Sequence, residues 1–197
     1  MPRSWNDDPF TKKARAKNYH ARSVYKLEEI DRREKILSGC KTILDLGAAP
    51  GSWTQYCLQK IPQGKIIAVD IAPLKVSHPN LIFLEQSIEE VDFAALLGGE
   101  KADLVLSDMA PKTSGIHDRD VALSFELASL ALETAKKYLK KGGGFVCKLF
   151  MGDSFEEFHR ELKRSFTTVK LLRPESTRKH SREIFFIAKG FKEQTSP

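Results

Sequence analysis

Short apolar runs recur along the chain and alternate with longer amphipathic stretches. The runs predict strands at 42–46, 66–70, 81–85, 103–107, 143–149, 168–172 and 184–189. The stretches between them predict helices at 52–60, 89–97, 119–140 and 153–165. A further helix is expected over 20–37, where Val24, Leu27, Ile30 and Leu37 recur at roughly helical spacing. Strands separated by helices indicate an α/β fold with a mainly parallel sheet and right-handed crossovers. The last two strands have no helix between them, and so short a link suits an antiparallel pair. The expectation is a seven-stranded, mostly parallel sheet with one antiparallel strand and helices on both faces. One domain spans 19–192, with helix 20–37 packed on a core at 40–191. A flexible basic arm, 1–18, precedes it and a tail, 193–197, follows. Pro, Gly and Ser mark 109–118 as a loop.

Composition adds bounds rather than shape. The 197 residues are 41% hydrophobic and 29% charged, the balance of one globular domain. No apolar run approaches the roughly 20 residues that span a bilayer. The polar start lacks a signal-peptide core, so a cytoplasmic protein with no membrane partner is expected. Cys40, Cys57 and Cys147 form neither a zinc pattern nor a disulfide framework. No metal is expected, and a reducing compartment is.

Charge changes the picture more. Residues 1–41 hold 11 Lys/Arg against 6 Asp/Glu, and residues 163–192 hold 9 against 2. The middle, 42–162, holds 12 against 17. Basic ends around an acidic centre point to a phosphate-bearing partner, nucleic acid first.

The chemistry-bearing residues sit where the predicted strands end. Residues 44–53 read as strand, glycine turn and helix, with Gly47 and Gly51 spaced Gly-x-x-x-Gly. That spacing differs from the Gly-x-Gly-x-x-Gly of dinucleotide sites. Glycine there permits positive φ and close approach of a ligand to the backbone. Asp70 ends Ile66-Ile67-Ala68-Val69 and is placed to accept hydrogen bonds from both hydroxyls of a ribose. Asp108 ends Leu104-Val105-Leu106-Ser107, and Lys148 lies inside a strand among apolar neighbours. A lysine so placed needs a carboxylate, and an ordinary Lys148–Asp108 ion pair would already satisfy it. If the last strand is antiparallel, Glu183 at its start lies on the same sheet edge. Lys26, on the first predicted helix, can reach over; taken alone it would equally be a surface residue.

These segments resemble the FtsJ/RrmJ (RlmE) family of RNA ribose 2′-O-methyltransferases. The likeness rests on Arg-Ser-Val-Tyr-Lys-Leu at 22–27, residues 44–53, Val-Asp-Ile-Ala-Pro at 69–73 and Ser-Asp-Met-Ala-Pro at 107–111. It continues through 142–150 and Ser-Arg-Glu-Ile-Phe at 181–185. The resemblance implies a Rossmann-like fold that uses S-adenosyl-L-methionine. It implies a catalytic tetrad of Lys26, Asp108, Lys148 and Glu183, with cofactor contacts at Gly47, Gly51, Trp53, Asp70, Ser87 and Asp108. Ser52 departs from the family pattern, which often has a second glycine there. Ser87 departs too, replacing an Asp on the adenine side with a neutral hydroxyl. Lys148 is the family's proton acceptor. Desolvation would favour that role and the neighbouring carboxylates would oppose it, leaving either a base or a charged orienting group. RNA phosphates would meet Lys12, Lys13, Arg15, Lys17 and Arg22 in front, and Arg173, Arg178, Lys179 and Arg182 behind. Trp5 and Tyr19 could stack on bases, whereas Tyr25 suits the core.

The implied substrate is a ribose, a uridine of large-subunit ribosomal RNA, methylated by a monomer. A tRNA or another RNA is the alternative target. A catalytically silent RNA-binding module for ribosome assembly is the alternative of another class. Nicotinamide chemistry is disfavoured by the glycine spacing. Base methylation is disfavoured because neither Pro-Pro-aromatic nor Pro-Cys occurs.

Overall fold

The computed structural model describes residues 8–112 and 114–193. Seven strands form one sheet: β1 (Thr42–Leu46), β2 (Lys65–Asp70), β3 (Leu81–Glu85), β4 (Ala102–Ser107), β5 (Leu139–Phe150), β6 (Phe166–Leu172) and β7 (Glu183–Phe191). Their spatial order is β3-β2-β1-β4-β5-β7-β6. The pairs from β3 through β5 are parallel, and β7 runs antiparallel to both β5 and β6. The helices are α1 (Pro9–Ala16), α2 (Val24–Glu34), α3 (Ser52–Lys60), α4 (Phe93–Leu97), α5 (His117–Tyr138) and α6 (Phe155–Ser165). Among the described residues no helix is long and apolar enough to cross a membrane.

The central strands β1, β2 and β4 read as nearly unbroken apolar runs because both sheet faces are covered there. Alternation still sorts their side chains. Ile43, Ile66, Leu104, Leu106, Val146, Phe185 and Ile187 pack with α1, α2 and α3. Leu44, Leu46, Ile67, Val69, Val105, Phe145, Cys147, Leu149 and Phe186 pack with α4, α5 and α6. Helix α2 joins the first cluster through Val24, Leu27 and Ile30, all fully buried. Burial of such side chains contributes about 1.5–3 kcal/mol each.

Three expectations need correction. The segment 1–18 is not simply an arm, since 9–16 is helical. Asp8 caps α1 by accepting from the Thr11 amide at 3.1 Å, Pro9 suits the first turn, and Phe10 packs against Tyr25 with ring centroids 5.8 Å apart. The helix expected over 20–37 is shorter, because Lys35 turns left-handed at φ 54° and ends it. The helix expected over 89–97 is two pieces, a 3-10 turn at Ile88–Glu90 and then α4. There Asp92 restarts the helix by accepting from the Ala95 amide at 3.0 Å.

Candidate active site

Strand order reverses between β2 and β4 around β1, and the crevice beyond these strand ends is where such sheets bind ligands. The β1–α3 loop forms its floor. Gly47 and Ala48 donate to the Val69 carbonyl at 2.9 and 3.2 Å, pinning the loop to β2. Gly47 has φ 76°, and a Cβ there would lie 2.5 Å from the Met109 side chain. Gly51 has φ 115°, and a Cβ there would lie 2.4 Å from Val76. Both positions therefore require glycine. A cleft of about 450 Å³ opens above the loop, lined by Gly47, Asp70, Ser87, Glu89, Asp108 and Met109 among others.

Asp70 is fixed by two amides, Ala49 on Oδ2 and Ala72 on Oδ1, each at 2.8 Å. A carboxylate has about four lone-pair sites, so each oxygen retains room for another donor. Ser87 lines the same cleft, its hydroxyl 3.4 Å from a Glu89 carboxylate oxygen.

Side-chain alternation brings the tetrad to one side of the sheet. Asp108 follows the parity of Leu104 and Leu106, Lys148 that of Val146, and Glu183 that of Phe185 and Ile187. All three therefore emerge on the face that α2 covers, and α2 supplies Lys26. Lys148 donates to Asp108 Oδ1 at 2.9 Å and to the Asp108 carbonyl at 2.5 Å, with only 6% of its side chain exposed. Lys26 meets both oxygens of Glu183, at 2.7 and 2.8 Å. Phe185 is opposite Lys148 in the β5–β7 register, so Glu183 is its diagonal neighbour, roughly 7–8 Å away. Two ion pairs thus stand side by side. Asp108 lines the cleft just described. Lys26 and Glu183 line a second cavity of about 500 Å³, with Arg22, Ser23, Ser176, Arg178, His180 and Ser181. A donor in the first space and an acceptor in the second would meet at the tetrad.

The remaining expected residues divide. Trp53 is 2% exposed, donates to the Ser23 carbonyl at 2.9 Å and packs on Phe185, so its side chain belongs to the core. Ser52 is buried, and its hydroxyl pairs with that of Ser23 at 2.7 Å, tying α3 to the start of α2. Tyr25 is buried, as its place in the pattern suggests, beneath Lys13 at 4.6 Å from its ring. Tyr19 is half-buried and donates to Gln59 at 2.7 Å. Lys12, Lys13, Arg15 and Lys17 lie exposed on and just beyond α1, and Arg178, Lys179 and Arg182 on the β6–β7 loop. Trp5 lies outside the described residues. Two expected RNA ligands are instead fastened into the fold. Arg22 pairs with Asp8 and donates to the Ser176 carbonyl. Arg173 donates to the carbonyls of Arg178, Lys179 and Ser181, the last at 2.6 Å.

Sequence reasoning missed those two clamps and Asp45. Asp45 is wholly buried under the glycine loop and accepts from Thr54 at 2.6 Å, while its other oxygen has no partner among the described residues. Burial, aided by Asp108 and Asp70 and opposed by the Thr54 hydrogen bond, raises its pKa to about 7. The signal was present: a charged residue at the centre of Ile-Leu-Asp-Leu.

A sequence model described as FtsJ-like methyltransferase matches residues 19–191. A protein of Bdellovibrio bacteriovorus named ribosomal RNA large subunit methyltransferase E is 42% identical over 185 residues, covering 91% of this chain and 94% of its own. A protein of the same name from Desulfatibacillum aliphaticivorans is 43% identical, covering 93% and 89%. Among solved structures, a ribosomal RNA methyltransferase from Plasmodium falciparum superposes with a TM-score of 0.76 at 31% identity, over 88% of this chain and 98% of that one.

Proposed function

This chain belongs to the FtsJ-like methyltransferase family, and from that premise we propose that it methylates the 2′-oxygen of a ribose in large-subunit ribosomal RNA, at a uridine. The observation that carries the reading is the pair of lysine–carboxylate contacts standing between two cavities. The residues fit S-adenosyl-L-methionine. Asp70 keeps acceptor capacity for a ribose, Gly47 leaves the backbone open to close approach, and Ser87, which lines the same cleft, would be available to the adenine. That cofactor supplies a methyl group on a sulfonium, whose departure leaves a neutral thioether.

The protein's own contribution is placement and charge. Lys148 spends two donors on Asp108. The third donor of an ammonium would hold the 2′-oxygen in line and stabilise the negative charge that develops on it, while the hydroxyl proton passes to solvent water. Asp108 fixes Lys148, and Glu183 fixes Lys26 at the rim of the acceptor cavity. Holding two reactants in line supplies as much as about 7–11 kcal/mol of a barrier. The named relatives favour ribosomal RNA, and the intact tetrad argues against a silent assembly module.

The test is labelled methyl transfer to large ribosomal subunits from cells lacking the gene, read as 2′-O-methylnucleosides. Wild type should label one ribose. Lys148→Ala should lose about 100-fold in rate or more, with binding of S-adenosylhomocysteine unchanged. Label in a base, or full turnover by the variant, would overturn the reading.

A further inference from the structure

Ser23 stands at the start of α2, yet its hydroxyl does not cap that helix. A serine in this place ordinarily accepts from an amide of the first turn. Here the hydroxyl pairs with that of Ser52 at 2.7 Å. The Ser23 carbonyl is held from the same side. It accepts from the Trp53 indole at 2.9 Å and from the Lys26 amide at 3.0 Å. Ser52 and Trp53 are consecutive, each 2% exposed, and directly follow Gly51 of the glycine loop. The end of the loop beneath the first cleft therefore grips one residue of α2 by both its side chain and its backbone.

What that grip holds is Lys26. Residues three apart are neighbours on a helix surface, and Lys26 stands three after Ser23. Its side chain crosses Phe185, with Nζ 5.6 Å from the ring centroid, and ends on Glu183. Trp53 packs on the same ring, with centroids 5.8 Å apart. Ser52, Trp53, Ser23, Lys26 and Phe185 thus close a circuit between the floor of the donor cleft and the rim of the acceptor cavity. Transfer requires the reacting atoms about 3–3.5 Å apart and in line, so the spacing of floor and rim enters the rate. We propose that Ser52 is a positioning residue, which through Ser23 sets where Lys26 stands relative to the glycine loop. Its burial keeps its own hydroxyl away from both reactants. The inference rests on the ribose-acceptor reading above and adds a residue to it.

The experiment uses the full chain in the ribosomal assay above, together with an NMR readout that needs no turnover. In protein isotope-labelled at the lysine ε carbon, the Lys26 signal is shifted by the Phe185 ring and is identified by its loss in Lys26→Arg. Ser52→Ala should move that signal and lower kcat about fivefold, the scale of one hydrogen bond. KM for the ribosomal subunit and affinity for S-adenosylhomocysteine should be unchanged. Ser23→Ala should also move the signal and lower kcat. Adding Ser52→Ala to Ser23→Ala or to Lys26→Ala should cost nothing further, because the three act through one chain of contacts. Thr167→Ala removes another hydroxyl bond, 3.0 Å long to the Gly190 carbonyl near the opposite edge of the sheet. It should leave signal and kcat in place. An unmoved Lys26 signal, an unchanged kcat, a loss of cofactor affinity in place of rate, or a full loss on the Lys26→Ala background would overturn the proposal. Label found in a base removes the ribose reading, whereas the Lys26 signal tests the positioning without any reaction.

Discussion

A carboxyl group with no exposed surface holds its proton more tightly than one in water, and Asp45 is such a group. Its pKa is raised from 3.8 to about 7. Between those values the folded protein keeps a proton that the unfolded chain has released. Unfolding is then favoured as pH rises through that window, with a slope of up to about 1.4 kcal/mol per pH unit. Asp45→Asn removes this contribution. Urea midpoints should therefore fall for wild type relative to the variant between about pH 4.5 and pH 6.5. Parallel profiles would show that Asp45 ionises in the fold as it does in water. At this scale the sequence was legible where chemistry ends a strand, as at Asp70, Asp108 and Glu183. It was less so where a polar side chain turns inward, because alternation alone does not tell which neighbour will cover it.

At the scale of elements, the strand–loop–helix unit of β1 and α3 depends on two glycines for different contacts. Gly47→Ala puts a methyl group 2.5 Å from Met109 Cγ and 3.0 Å from its backbone nitrogen, at a positive φ. The loop must move off the cleft floor, and affinity for S-adenosylhomocysteine should fall about tenfold or more, measured by calorimetry. Gly98→Ala is the control. It has φ 63° with nothing within 4 Å of the added carbon. It should lower Tm by about 2–4 °C through backbone strain alone and leave binding unchanged. Equal loss in the two variants would mean that the loop's contact with Met109 does not matter. Strand positions were legible from the apolar runs. The split of 89–97 was not, since helix propensity continues through it and only the Asp92 cap shows the restart.

For the whole molecule, the two basic ends of the chain meet at one place. Arg22, just before α2, joins Asp8 at the start of α1 to Ser176 in the β6–β7 loop. The start of α1 and that loop are therefore neighbours, and both carry exposed cations. Binding of an RNA fragment should weaken steeply with salt. Lys12→Ala, Lys13→Ala and Lys17→Ala should each reduce the slope of log K on log salt by about 0.7 if each meets one phosphate. Arg173→Ala should leave that slope unchanged and lower the methylation rate instead, because its donors are spent on loop carbonyls. A slope that falls with Arg173→Ala would return it to the phosphate-binding set.

The sequence by itself determined the periodicities, and with them the strands, the helices and the mostly parallel sheet. It also placed a carboxylate or a lysine at the end of each strand that matters, since alternation of side chains is a local property of the chain. What the tertiary structure decided was pairing. Lys148 with Asp108, Lys26 with Glu183, and Arg22 with residues at positions 8 and 176 join segments distant in sequence, so their contacts depend on how the sheet orders its strands. The same dependence fastened Arg22 and Arg173 to the protein's own acceptors. A guanidinium reads alike in sequence whether it meets a phosphate or the protein's own carbonyls, and only packing determines which acceptor lies within reach.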